Sequence, residues 1–204
     1  MKKLNYYFFL FFLILLTFPC HSQENVPNTS DRPVFGIQTG FLGIWVHNET
    51  ALSTRFHLRS EAGLNLGFGG GGSYNQFKNA IGITEGAALV ASISLEPRFY
   101  YNLKKRRENE KNVFANSANF IALNANYFPG WLVAAQNREN VGYTKQISFI
   151  PYWGIKRTIQ KHFTYEAGAG LGYLHNFSVK GRIFDEFDTN ALFIHLHLRV
   201  GYTF

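Results

Sequence analysis

The chain has 204 residues, among them 21 Phe, 11 Tyr and 19 Gly, a single Cys and a formal charge of +7. One cysteine excludes an internal disulfide framework, and if Cys20 leaves with a cleaved signal, cysteine catalysis and Cys-based zinc sites are excluded too. The basic excess is modest and is not interleaved with aromatic residues, so it suits an anionic lipid surface and gives no sign of nucleic-acid binding.

The chain starts MKKLNYYFFLFFLILLTFPCHSQ: Lys2 and Lys3, an apolar run from about Tyr6 to Phe18, then a short polar stretch. The run is shorter than the ~20 residues of a transmembrane helix, and its basic start fits an n-region followed by an h-region. Residues 1–23 therefore read as a cleaved signal peptide, with residues 24–33 a short periplasmic segment and 34–204 the folded body. A retained anchor and a lipidated Cys20 are the competing readings. Against lipidation, Pro19 stands where lipoprotein signals carry a small residue. Cleavage would take away the only thiol together with Lys2 and Lys3, so the 20 basic residues fall to 18 against 13 acidic ones, a charge of +5.

From residue 34 onward, apolar and polar residues alternate in seven segments: 34–46, 52–68, 87–103, 117–128, 143–157, 162–175 and 191–204. A period of two gives a strand with one apolar face. Several segments exceed the ~5–6 residues usual for soluble strands and match the ~9–11 tilted residues that cross a bilayer. In the second segment Phe56, Leu58, Ala62, Leu64, Leu66 and Phe68 share one face, interrupted only by Ser60, and Arg55, His57, Arg59, Glu61 and Asn65 share the other. In the third, Leu89, Ala91, Ile93, Leu95, Phe99, Tyr101 and Leu103 stand against Ser92, Ser94, Glu96, Arg98, Tyr100 and Asn102. In the sixth, Phe163, Tyr165, Ala167, Ala169, Leu171 and Tyr173 oppose Thr164, Glu166 and Gly168, Gly170 and Gly172. The final FIHLHLRVGYTF sets Ile194, Leu196, Leu198, Val200, Tyr202 and Phe204 against His195, His197, Arg199, Gly201 and Thr203.

No charge interrupts these apolar rows. A soluble sandwich would have shorter strands and its polar face outside. The expected fold is therefore all-β, an antiparallel transmembrane up-and-down β-barrel of about eight strands, with apolar rows toward lipid and polar rows toward the lumen. Bacterial barrels hold an even number of strands, so an eighth is expected, and GFGGGGSYNQFKNAIGITEG is where the sequence suggests it. Pro97 and Pro151 each lack a ladder donor, which predicts bulges or strand ends there. Connections are expected at 104–112, 129–142, 158–161 and 176–190.

The runs SLEPRFYYNLKKR, NSANF, PYWGIKR and the terminal LRVGYTF resemble the small outer-membrane β-barrel proteins of Gram-negative bacteria grouped as porin-like or outer-membrane β-barrel domain proteins. The resemblance covers most of the chain after the signal and brings no catalytic residue with it. It implies residence in the outer membrane, contact with outer-membrane lipids and lipopolysaccharide, and handling by the barrel-assembly machinery. Tyr202 and Phe204 would form the C-terminal aromatic signal that this machinery reads. A monomer is expected.

The inward rows collect Arg55, His57, Arg59, Glu61, Glu96, Arg98, Lys156, Glu166, His195, His197 and Arg199. In an eight-stranded barrel the interior is only just wide enough for side chains, so these groups must satisfy one another. The expected role is structural or interactive, with a polar core filling the lumen. A small gated pore, a ligand pocket and a lipid-modifying enzyme are the alternatives. Enzyme chemistry is not expected, because the strand histidines fall on inward rows and no run marks a nucleophile. His195 and His197 stand two apart as metal ligands can, but Arg199 on the same face would repel a cation and no third His is suitably spaced. No metal or cofactor is implied. FGGGG at 68–72 lacks the Lys and Ser/Thr of a phosphate loop. KKRRENEKN at 104–112 reads as a solvated turn; its basicity would suit lipopolysaccharide phosphates if external, or inner-leaflet headgroups if periplasmic.

Overall fold

The structure, a computed structural model, describes residues 33–69, 86–135, 145–160, 162–177 and 190–204. The signal sequence and most of the glycine-rich stretch at 67–86 lie outside the described residues. The described residues form nine strands: β1 Val34–Gly40, β2 Gly43–Ala51, β3 Phe56–Gly69, β4 Gly86–Phe99, β5 Asn119–Phe128, β6 Leu132–Ala135, β7 Lys145–Ile159, β8 Phe163–Phe177 and β9 Asn190–Thr203. All pairings are antiparallel, and β1 meets both β2 and β9, so the sheet closes on itself. The molecule is a closed eight-strand barrel plus one short extra strand.

That extra strand is a broken continuation of its neighbour. Residues 93–99 of β4 pair with β5, whereas Ala88, Leu89 and Val90 of the same strand pair with β6. Between the two pieces lie Pro129 and Gly130, the latter at φ 77°, and the register slips at Leu89 and Val90. β5 and β6 thus occupy one position of eight.

The eighth strand is not in the glycine-rich stretch, because β3 pairs directly with β4 from Phe56↔Phe99 to Gly69↔Gly86. It comes from the first predicted segment, which is two strands folded back at Phe41 and Leu42. Neither is a usual turn residue, so the run TGFLGIWV conceals a hairpin flanked by Gly40 and Gly43. The prolines also depart from expectation. Pro97 pairs with Leu58 and Pro151 with Leu123, with the register unbroken on either side of each. Each lacks a donor toward one neighbour only, and the ladder lapses there for two residues while the other side holds it.

The two faces are sharply different. Outward rows are exposed and apolar, as with Leu192, Ile194, Leu196 and Leu198 on β9. Inward rows are buried, and their glycines sit opposite rings. Gly63 pairs with Trp45, Gly154 with Phe120 and Gly172 with Phe193. A Cβ at Gly63 would come within 1.9 Å of the Trp45 indole, so only glycine lets the ring lie across the strand.

Both chain ends of the barrel, the start of β1 and the finish of β9, lie at one rim together with connections 52–55, 100–118 and 160–162. The longest of these carries KKRRENEKN, which begins as a short helix, α1 Leu103–Glu108, where the sequence suggests only a turn. A 3-10 turn follows at Phe114–Asn116. Leu103 and Ala118 tuck in against Tyr100, Phe120 and Tyr152, so an apolar cluster fills the interior at this rim. The β1–β2 turn lies at the opposite rim's side of the barrel.

Candidate functional site

The interior next to the apolar cluster holds a network of charges. Glu166 on β8 is its centre. Its carboxylate accepts from Arg98 Nη2 at 2.9 Å, Arg59 Nη1 at 2.9 Å and Gln38 Nε2 at 2.9 Å, and His197 Nε2 lies at 3.3 Å. Glu49 on β2 accepts from Lys156 Nζ at 2.9 Å, the Tyr100 hydroxyl at 2.8 Å and Asn116 Nδ2 at 2.7 Å. Glu96 accepts from Arg98 Nε, the Tyr152 hydroxyl and Asn124 Nδ2. Glu61 accepts from Arg59 and, at 2.6 Å, from Arg199. Two guanidinium groups also lie over rings, Arg98 over Phe120 at 4.3 Å and Arg199 over Trp45 at 3.9 Å.

Charge balance explains how so many ions share a narrow interior. Glu49, Glu61, Glu96 and Glu166 face Arg59, Arg98, Lys156 and Arg199, four against four, and every one of them has an opposite partner within 4 Å. An unpaired ion there would carry a desolvation penalty of several kcal/mol. Each carboxylate also takes hydrogen bonds, which is what makes burial tolerable.

Of the residues expected in the lumen, His57, Arg59, Glu61, Glu96, Arg98, Lys156, Glu166, His195, His197 and Arg199 are on inward rows and buried or partly buried. Arg55 is not. It lies exposed in the β2–β3 connection, because the strand begins only at Phe56 and its parity does not extend into the bend. Its place in the charge count is taken by Glu49, which lies between the alternating segments 34–46 and 52–68. Gln38, Asn116 and Tyr152 join it without being marked by the sequence pattern, although Gln38 and Tyr152 are legible as the polar alternates of Ile37 and Trp153, and Tyr100 is buried on the inward row expected for it. His47 is also inward and buried, with neither ring nitrogen hydrogen-bonded among the described residues. His175 corrects the expectation that strand histidines face inward. It stands on the outward row between Tyr173 and Phe177, its Nδ1 2.8 Å from Asn190 Oδ1. Tyr202 and Phe204 are outward, and Phe204 N donates to Phe35 O at 2.9 Å across the β1–β9 seam.

Beyond the network, away from the chain ends, the interior opens into a cavity of about 380 Å³. Glu61, Glu96, Arg199 and His195 lie at its charged side, Trp45, Phe128, Leu174 and Phe193 give it apolar walls, and Asn65, Asn126 and Ser148 supply neutral polar groups. Asn126 Oδ1 is buried there without a hydrogen-bond partner among the described residues. No three His, Cys, Asp or Glu side chains converge as a metal site among the described residues.

Fold and site together define a closed eight-strand barrel with a charge-balanced, partly filled interior. No protein-family model, curated protein or solved structure matches the chain.

Proposed function

We propose that the protein is an integral outer-membrane barrel of a Gram-negative bacterium, exported through its N-terminal signal, with a structural or interaction role in the envelope. The observation that carries this reading is the inversion of the two faces. The outward rows are apolar and exposed, Leu196 at 74%, while full charges are buried inside. Soluble monomers rarely expose contiguous apolar surface of this kind, whereas a barrel in lipid requires it. Aromatic residues bracket the outward row of β8, Phe163 and Tyr165 toward one rim and Tyr173 and Phe177 toward the other, as interfacial girdles do. An apolar hollow of about 600 Å³ across β1, β8 and β9, bordered by Ile37, Phe163, Tyr165 and Val200, has a shape that acyl chains fill.

With both ends of the barrel periplasmic, α1 and its lysines and arginines face the inner leaflet, so their partners are phospholipid headgroups there and lipopolysaccharide contacts the opposite rim. The ion-paired network argues against a standing pore. The test is reconstitution. The purified chain is expected to stay with vesicles through an alkaline wash and to show no steady conductance in planar bilayers. A chain that remains monodisperse without detergent would overturn the membrane reading, and steady conducting steps would replace the filled barrel with a small pore.

A further inference from the structure

Among the described residues, the barrel wall is incomplete on one side. β1 ends at Gly40, opposite Arg199, yet β9 runs on from there to Asn190, and β3 runs past its last β2 partner, Asn65, to Gly69. Among the described residues, β9 from Asn190 to Leu198 has a strand partner on the β8 side alone. The β1–β2 hairpin therefore stops midway along β9 and leaves a notch two strands wide. The flanking strands β9 and β3 are three inter-strand spacings apart, or roughly 14 Å. Phe41, at the tip of the hairpin, is 93% exposed.

The notch opens into the interior cavity. That cavity is bordered by inward side chains such as Trp45 and His195, and also by Phe41 and by Leu196 and Leu198 from the outward row of β9. His195, Leu196, His197 and Leu198 border it in unbroken succession, along the stretch of β9 that has no partner on the β1 side among the described residues. The same outward row continues alongside the notch through Ile194 and Leu192, so the opening lies within the apolar band and not above it. Unpaired strand edges at membrane depth are tolerated only where they line a cavity that holds polar partners.

From this geometry, and resting on the membrane reading above, we propose that the cavity is a binding site for a single-chain amphiphile that enters sideways from the bilayer. The alkyl chain lies through the notch against Phe41, Leu196 and Leu198. The head is uncharged and hydrogen-bonding. Among the described residues the interior ions are already matched four to four, so a charged head would add an unbalanced charge, whereas Asn126 Oδ1 has no donor there. A volume of about 380 Å³ lies at the lower end of small-ligand pockets, which suits one chain and excludes a two-chain phospholipid.

Tryptophan positions make the test direct. Trp45 faces the cavity, while Trp131 and Trp153 face outward. One variant carries Trp131→Phe and Trp153→Phe, leaving Trp45 alone; a second carries Trp45→Phe and Trp131→Phe, leaving Trp153. Each full chain is placed in phosphatidylcholine vesicles and titrated with a monoacylglycerol brominated on its chain, and with the matching brominated fatty acid. The expected result is saturable loss of Trp45 emission with the monoacylglycerol, a weaker loss with the ionised acid, and recovery on adding Asn126→Phe, which fills the cavity. Trp153 should be quenched in proportion to the bromine present, without saturation. Trp45 left unquenched while Trp153 is quenched would overturn the lateral site and leave the membrane barrel standing. Equal or stronger quenching by the acid would overturn the neutral head, and quenching unaffected by Asn126→Phe would overturn the cavity as the site. Loss of quenching at both tryptophans would overturn the membrane reading itself.

Discussion

Arg98 and Glu166 face each other across the barrel interior, Nη2 to Oε2 at 2.9 Å and Nη1 to Oε1 at 3.3 Å, with neither side chain exposed. Their strands, β4 and β8, are not neighbours; β5 and β7 stand between them on one side. The pair therefore ties opposite walls. Removing one partner strands the other in a dry site, so Glu166→Gln or Arg98→Met should each cost about 3–5 kcal/mol. The double variant should cost less than the sum. Urea unfolding of the reconstituted protein, followed by gel mobility with and without heating, measures this; unchanged midpoints would mean a wide, watery lumen.

Removing the matched pair keeps the interior balanced at three against three while taking out the side chains that bridge it. Arg98→Ala with Glu166→Ala should therefore introduce conducting steps in planar bilayers that the native chain lacks. If the double variant stays silent, the apolar cluster around Tyr100, Leu103 and Phe120 is the actual seal.

The faces of β9 should respond oppositely to substitution. Leu196→Arg puts a charge in the middle of the outward row and should cost on the order of 2–4 kcal/mol in a bilayer, with impaired assembly. Thr203→Val is inward, and it replaces a buried hydroxyl that has no hydrogen-bond partner among the described residues, so it should be neutral or slightly stabilising. Comparing yields of folded protein in vesicles distinguishes the two.

Gly63→Ala forces a methyl into the Trp45 indole. A loss of roughly 1–3 kcal/mol is expected, as for other overpacked sites. Combining it with Trp45→Leu, which vacates the ring's position, should recover part of that loss if the clash is its cause. Unfolding midpoints of the two single variants and the double variant provide the check.

Deleting Phe204 removes both an outward terminal aromatic and the N–H that bonds Phe35 across the closing seam. Assembly into vesicles is expected to slow. Phe204→Ala retains the backbone bond, so a similar slowing in that variant would assign the effect to the ring.

Much of the barrel was readable from parity. On β4, β8 and β9, the alternation of Ile93 with Ser94, Tyr165 with Glu166 and Leu196 with His197 is a local property of an extended chain, since successive side chains must point to opposite faces. That alone separated the apolar rows from Arg59, Glu96, Arg98 and Glu166. The hairpin at Phe41 and Leu42 was hidden because an apolar two-residue turn carries no Gly, Asn or Pro to mark it, and this concealed the parity of Glu49. Arg55 reads as inward from the sequence because the pattern does not announce where a strand starts. Pro97 and Pro151 stay within their strands because each loses a donor toward one neighbour and keeps its ladder with the other, a distinction that needs the register. Closure itself decided the rest. Which carboxylate meets which cation, and where β9 is left beside a hairpin too short to cover it, depend on strands far apart in the chain. Such contacts are set by register and curvature of the whole sheet, and no local pattern of residues encodes them.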